Sequence, residues 1–561
     1  MPTLQFKGKS VIETYHHTVP HHRLEFDPKL SLLPKGEKPG LDGNLIIEGD
    51  NLLALKALLP THAGKIKCIY IDPPYNTGDE GWVYNDNLTQ PQFKEWIGRT
   101  VGKEGEDACR HDKWCCMMYP RLMLLKEMLR DDGVILVSID DNEVQYLRML
   151  LMEVFGEDNF IEMVVWQKSY GGGAKSKHFV RLHEYVLCFA KDKNNIGKLT
   201  LPPDPEARKY YKSKDAKFEK RGPFRTQPLW TNSMDERKNL KFPIPYEGKE
   251  VWPEKQWQWS EDRVLEALVD DELVFVESDN GVSVYYKQYL LDEDGKERGA
   301  KPYSMIEGIY TQQGTNELSR IFDGKCRFRF PKPSDLIGAM LQVFVQEDDW
   351  ILDSCAGSGT TGHATLALNT DDKRNRRFIL VQQPFDNKEF ERDNFNICQE
   401  VTKQRLDRVI GGYAFSKRSG IGKRERVKIP GLGGSFSYTR VGDPLFSEYR
   451  DLGEKLPSFE DLAKYIFYTE TSHECDLKKA DAESGFIGEI GGKSYYLFYT
   501  PNDREDREAS LKTLDRILKK DKNRSWVIYT ERIWMHQEDL RQFERENGRS
   551  VRLMLVPFNL K

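Results

Sequence analysis

Three runs of nearly unbroken apolar residues constrain the fold more than any other feature of the chain. LIIEGD (45–50), CIYIDPPY (68–75) and VILVSID (134–140) each read as a strand that stops on an acid. Strands apolar on both faces belong to parallel sheets covered by helices on either side. Helical patterns stand between them: NLLALKALLP (51–60), stopped by Pro60, and RLMLLKEMLRDDG (121–133), with Leu122, Leu125 and Leu129 on one face. Strand, helix, strand, helix, strand predicts βαβ units. The second strand is cut off by Pro73 and Pro74, which lack the N–H a ladder needs. An acid, two rigid residues and an aromatic are thus expected at one strand end.

The same alternation returns late in the chain. PKPSDLIGAMLQVF (331–344) predicts a helix entered through proline, DWILD (349–353) a strand, and RFILVQQ (377–383) another. Between these strands CAGSGTTG forms a glycine-rich turn that opens a helix. Glycines let the backbone approach a ligand closely, and a helix N-terminus offers free N–H groups. No lysine follows the second glycine, so this is not a phosphate-gripping loop, and the spacing is shorter than the dinucleotide fingerprint. Taken alone, such a turn is as well explained by tight packing as by a ligand.

At 561 residues the chain is too long for one core. Six segments are expected: an N-terminal arm over 1–40, a first core segment over 41–195, an insert over 196–310, a second core segment over 311–415, a basic linker over 416–435, and a small α/β domain over 436–561. In the last of these, FIGEIGGKSYYLFY reads as a hairpin with a Gly-Gly turn. No apolar run reaches membrane-span length and no signal-peptide core opens the chain, which predicts a cytoplasmic protein. Nine scattered cysteines without C-x-x-C argue against a disulfide framework or a zinc ribbon. His16, His17, His21 and His22 lack a partner ligand at suitable spacing and read as part of a polar arm, so no metal site is expected.

The net charge of −5 does not announce a nucleic-acid binder, but local balance matters more. ARKYYKSKDAKFEKRGPFR (207–225) interleaves basic and aromatic residues, and KRNRR (373–377) and SKRSGIGKRERVKIPG (416–431) are further basic runs. Each is equally well read as a solvated face.

The two motifs together are far more specific than either alone. With D-P-P-Y at 72–75 and a glycine turn at 353–360, the chain resembles the DNA amino-methyltransferases that use S-adenosylmethionine (SAM), in the permuted β-class motif order with the catalytic motif first. GNLIIEGDNLLALKALLP, IKCIYIDPPYNTGDEGWVYND, DDGVILVSIDDNE, VFGEDNFI and FRFPKPSDLI narrow the resemblance to the modification (Mod) subunits of type III restriction–modification systems. The resemblance implies an α/β fold: a Rossmann-like SAM-binding sheet with circularly permuted motif order, an inserted recognition domain at about 196–310, and a small C-terminal α/β domain suited to docking. The two motifs are expected on neighbouring strands, meeting at the sheet's topological switch point.

The resemblance also implies roles. Asp72, with the Pro73 carbonyl, accepts hydrogen bonds from the exocyclic amine of a flipped base, Pro74 stiffens the loop, and Tyr75 stacks on the ring. Gly357, Ser358, Gly359 and Thr360 line SAM, Asp353 orients their loop, and Lys332 approaches the methionine end. Cys355 stands where the family usually carries Phe and packs the loop. Asp50 accepts from the SAM adenine, or caps the following helix, or both. The second cofactor strand ends in Gln382 and Gln383, where an acid usually takes the ribose hydroxyls. The implied activity is methylation of adenine N6 in double-stranded DNA. Cytosine N4, RNA or protein amines, and a non-catalytic specificity subunit are the alternatives. The implied partners are double-stranded DNA, a second copy of the chain, and a restriction subunit with helicase and nuclease activity.

Overall fold

The apolar runs pair into one ten-stranded sheet, seen in a computed structural model that describes residues 3–77, 110–171, 177–201, 207–232, 235–279, 281–295, 297–346, 348–385, 388–418, 424–445, 457–499 and 508–556. In chain order its strands are β1 (His22–Phe26), β2 (Leu45–Glu48), β3 (Ile66–Ile71), β4 (Leu129–Ile139), β5 (Phe160–Gln167), β6 (His183–Ala190), β7 (Met305–Ile306), β8 (Trp350–Asp353), β9 (Arg377–Gln382) and β10 (Ser437–Pro444). Their spatial order is β1-β10-β2-β9-β8-β3-β4-β6-β5-β7. The six strands from β10 to β4 are parallel, and β6 runs antiparallel to both β4 and β5. All six residues of β3 are buried, as a strand covered on both faces requires.

Seven helices matter for the site: α1 (Asn51–His62), α2 (Arg110–Met128), α3 (Val144–Phe155), α4 (Thr311–Ile321), α5 (Ser334–Phe344), α6 (Thr360–Asp372) and α7 (Gln404–Gly411). The chain leaves β8 through α6 to reach β9 on one side, and leaves β3 through α2 to reach β4 on the other. The switch point therefore lies between β8 and β3, which pair directly through Ile351–Cys68 and Leu352–Ile69.

Several boundaries differ from the expected ones. Helix α1 runs two residues past Pro60, where the missing N–H costs a single bond in the last turn. Pro120 lies inside α2, which begins eleven residues before Arg121, at Arg110, and ends at Met128, so that Leu129 already belongs to β4. The first forty residues are not a polar arm. Ile12, Tyr15 and Val19 recur at helical spacing and are buried in the main core, and His22–Phe26 closes one sheet edge against β10. His16 and His21 are buried with them, and burial holds their imidazoles neutral, down to about 4 and about 3. The boundary at 436 also moves, because Ser437–Pro444 enters the main sheet between β1 and β2.

Lys198–Pro302 forms a compact unit of its own. Its antiparallel sheet orders Leu273–Ser278, Gly281–Tyr289 and Phe224–Pro228, beside a helix over Glu261–Val269 and a core that includes Leu229, Ile244, Trp257 and Val284. Tyr303 to Ile321 belong instead with the main unit, since β7 pairs with β5. Past 456 a helix (Phe459–Thr471) precedes a four-stranded sheet of Phe486–Ile490, Lys493–Phe498, Ser525–Thr530 and Ser550–Leu555. The first two form the expected hairpin, with Gly491 and Gly492 both at positive φ. Residues 78–109, and 419–423 within the 416–431 basic run, lie outside the described residues. Among those described, no helix is long and apolar enough to cross a membrane.

Candidate active site

Asp72 leaves the carboxyl end of β3 where the prolines stop the ladder. The Pro74 carbonyl accepts a 2.7 Å hydrogen bond from Trp114 Nε1, a fully buried side chain of α2, which holds the loop against the core. Asn76 turns the chain at φ 57° and donates its amide to Glu143, a buried carboxylate that also meets His111. The loop is thus tied down on both sides of Tyr75.

Lys332, just before α5, stands at the centre of this end. Its Nζ lies 3.1 Å from Asp72 Oδ1 and 3.2 Å from Glu184 Oε2. It donates to Tyr75 Oη at 2.6 Å and sits 4.7 Å from the centre of the Tyr75 ring. Tyr75 in turn donates to Glu184 at 3.2 Å, and Lys168 Nζ donates to the other Glu184 oxygen at 3.0 Å. Burial, with the Glu184 charge adding to it, pushes the Asp72 carboxyl up against the opposing pull of Lys332. Burial also acts to raise Glu184, but Lys332 and Lys168 outweigh it and hold that carboxyl below its ordinary value. Burial would lower the Lys332 ammonium; Asp72 and Glu184 reverse this and hold it above.

The glycine turn is built next door, at the end of β8. Asp353 is buried and accepts from Cys355 N at 2.9 Å and from the Thr361 hydroxyl, so it orients the turn from within. Burial, with the Asp72 charge adding to it, pushes its carboxyl up to about 7. Gly357 takes φ 52°, and a Cβ there would lie 3.2 Å from the Phe328 ring. Its N–H donates to Gln382 Oε1 at 2.7 Å, and its carbonyl accepts from Thr402 Oγ1 at 2.7 Å. Ser358 and Thr360 face a fully buried guanidinium: Arg405 donates to their hydroxyls at 3.0 and 2.8 Å and to Glu317 at 2.8 Å. Gly359 packs against Thr402.

Asp50 caps α1, accepting from Leu52 N and Leu53 N through Oδ1. Its Oδ2 is buried, lies 3.5 Å from Arg121 and accepts no hydrogen bond among the described residues. Such an acceptor suits an adenine amine. Arg121 also donates to Asn51, whose amide donates to the Ser354 carbonyl at 3.0 Å, so the start of α1 is fastened to the glycine turn. A half-buried Cys355 and Gly357, the orphaned oxygen of Asp50 and the close backbone approach at Gly357 fit the cofactor that the sequence implies.

The expected residues thus form two adjoining groups. Asp72, Tyr75 and Lys332 meet directly, with Lys332 on the Asp72 carboxylate rather than on the glycine turn. Asp353, Cys355, Gly357 and Gln382 meet around the turn, while Ser358 and Thr360 look inward to Arg405. The carbonyl oxygen of Gln382 is spent on Gly357, which gives it a structural task in addition to any ligand contact. Glu184, Lys168, Thr402, Arg405 and Glu317 were not singled out from the sequence. Lys168 and Glu184 did carry a signal: they flank a Gly-Gly-Gly stretch between two strand-like runs, and in the hairpin Glu184 pairs with Trp166.

Residues 66–384 match the family described as DNA methylase. The chain is 29% identical over 407 residues to the type III restriction-modification enzyme EcoPI Mod subunit of Escherichia phage P1, covering 65% of this chain and 62% of that protein. It is 32% identical over 355 residues to the type II methyltransferase M.KpnI of Klebsiella pneumoniae, covering 60% of this chain and 79% of that one. The chain therefore spans about three fifths of the length of the EcoPI relative. A solved structure, the M1.HpyAVI–SAM complex, is similar over 65% of this chain and 98% of that one, at 13% identity and a TM-score of 0.31, too loose to carry an argument. With the family match spanning more than half of its residues, and enclosing both the acid end of β3 and the turn after β8, this chain belongs to the DNA methylase family.

Proposed function

We propose that the protein transfers a methyl group from SAM to the N6 amine of an adenine swung out of double-stranded DNA, as the modification component of a restriction or phage-defence system. The observation that carries this is the placement of Asp72 and Tyr75 beside the glycine turn of β8, at the point where the connections of β3 and β8 diverge. SAM bound on that turn, with Asp50, Asp353, Cys355, Gly357 and Gln382 around it, supplies a methyl group on a positively charged sulfur. The chain's own residues do the rest. An exocyclic amine is a poor nucleophile because its lone pair is delocalised into the ring. Asp72 and the Pro73 carbonyl accept its two hydrogens and hold the lone pair aimed at the methyl group, and the prolines fix those acceptors before the base arrives. As the amine nitrogen gains the methyl group, the S–C bond would break and leave a neutral thioether; the nitrogen then sheds one proton, and the raised affinity of Asp72 for a proton suits it to take it. Tyr75 gives the ring a face to stack on.

Membership of the DNA methylase family and likeness to a Mod subunit support this reading, and the D-P-P-Y sequence with the catalytic motif first favours adenine. DNA contact is assigned to Lys198–Pro302. There Arg225 lies over the Tyr211 ring, Lys214 lies over Phe218 and Tyr210 is exposed, although Arg208 is already paired with Glu297. Docking to a second copy or to a restriction subunit is assigned to the region past 456. The test is incubation with SAM and unmethylated genomic DNA, then digestion and mass spectrometry of the nucleosides. N6-methyladenine is expected. N4-methylcytosine would keep the mechanism and change the base, and the absence of both methylated nucleosides would overturn the reading.

A further inference from the structure

A lysine ammonium on Asp72 occupies the acceptor that a base amine requires. Lys332 does so, at 3.1 Å from the carboxylate, while donating at 2.6 Å to the Tyr75 hydroxyl at the edge of the ring. It therefore competes with the substrate, and it has to leave Asp72 before an amine can be held there. A buried ammonium without a second counter-charge cannot leave, because stranding it is strongly unfavourable. The second counter-charge is present, since Glu184 Oε2 stands 3.2 Å from the same nitrogen.

We propose that Glu184, steadied by Lys168, is the seat that takes the Lys332 ammonium off Asp72 when the base enters. It is a positioning residue for methyl transfer. The proposal rests on the reading of Asp72 as the amine acceptor. The two seats are nearly equidistant, so a small swing of the lysine exchanges them without exposing its charge. They are not equivalent. Glu184 is fastened from two other directions, by Lys168 on one oxygen and by the Tyr75 hydroxyl on the other. The ammonium meets both carboxylates at ion-pair distance and donates its aligned hydrogen bond to the Tyr75 hydroxyl, and Asp72 Oδ1 accepts no hydrogen bond among the described residues, which leaves its acceptor capacity for another donor. The titration tendencies agree: Glu184 holds its charge more readily than an ordinary glutamate, and Asp72 less readily than an ordinary aspartate. The antiparallel course of β6 makes this possible, because it brings the start of that strand to the edge where the parallel strands end.

The test is a double-mutant cycle on the full chain, read as kcat/KM for unmethylated DNA with labelled SAM, alongside the SAM dissociation constant from calorimetry. Glu184→Gln in the wild-type background is expected to lower kcat/KM about tenfold and to leave SAM affinity unchanged. In the Lys332→Met background the same substitution is expected to cost less than about twofold, because the glutamate acts through the lysine. Lys168→Met reaches the same pair from a less buried position and is expected to give a milder defect that also vanishes with Lys332→Met. It keeps the test intact should Glu184→Gln fail to fold. Equal costs in the two backgrounds would overturn the inference, as would an equal loss of SAM affinity or complete inactivity of Lys332→Met, since removing a competitor cannot abolish transfer. A wild-type chain that methylates no DNA would sink the functional reading itself, an outcome distinct from an active wild type with additive variants.

Discussion

Asp353 illustrates how a single buried group ties the site to stability. Its carboxyl is pushed up by burial from 3.8 to about 7 in the folded chain. Between these values it is protonated when folded and ionised when unfolded, so the folded state binds more protons and stability falls as pH rises through that window. The full window is worth up to about 4 kcal/mol. Urea denaturation at pH 5 and pH 7.5 should show a larger loss for wild type than for Asp353→Asn; equal losses would mean that the carboxyl does not titrate there. At this scale the sequence showed Asp72 and Tyr75 well, because adjacent prolines settle what a strand end can do. It showed Ser358, Thr360 and Gln382 less well. Which side of a turn a hydroxyl faces is decided by Arg405, far away in sequence, and the Gln382 carbonyl oxygen is claimed by Gly357. The hairpin around the Gly-Gly-Gly stretch places Glu184 near Lys168, but nothing local in sequence marks its meeting with Lys332, which comes from a separate segment.

The element that steadies the glycine turn is a π-helical turn over Cys398–Lys403 leading into α7. Such turns add a residue to a helix and recur at functional sites. Here it brings Thr402 onto the Gly357 carbonyl and packs it against Gly359. Thr402→Val keeps the shape and removes the donor, a loss of about 1 kcal/mol, or about fivefold in SAM affinity if the turn carries it. Thr402→Ser should retain affinity. Calorimetric SAM constants that are the same for all three proteins would contradict the role. The central strands and the Gly-Gly hairpin were legible because period and turn chemistry are local. The outer strands were not: HRLEF and SYTRVGDP have mixed polarity, and each becomes a strand by pairing with a segment from the other end of the chain. A π-helical turn has no compositional mark at all.

For the whole molecule, the division of labour follows the chain's layout. The sheet and its two motifs form one unit with the C-terminal region, and Lys198–Pro302 is compact by itself. Exchanging that segment for its counterpart in a relative should change the methylated sequence while leaving SAM affinity as it was; an unchanged methylated sequence would move recognition elsewhere. A truncation meant to test docking has to fall beyond Leu445, since a cut at 435 removes β10 from between β1 and β2. A chain ending at 456 should keep SAM binding and lose association on a sizing column; association that persists would place docking in the rest of the chain. The central claim is that Asp72 holds the amine to which a methyl group passes, and it has a direct test. Wild type and Asp72→Ala are incubated with methyl-labelled SAM and unmethylated DNA, with SAM binding measured in parallel. The account predicts label in DNA from wild type only, with SAM bound by both; transfer that survives Asp72→Ala at comparable rate would contradict it.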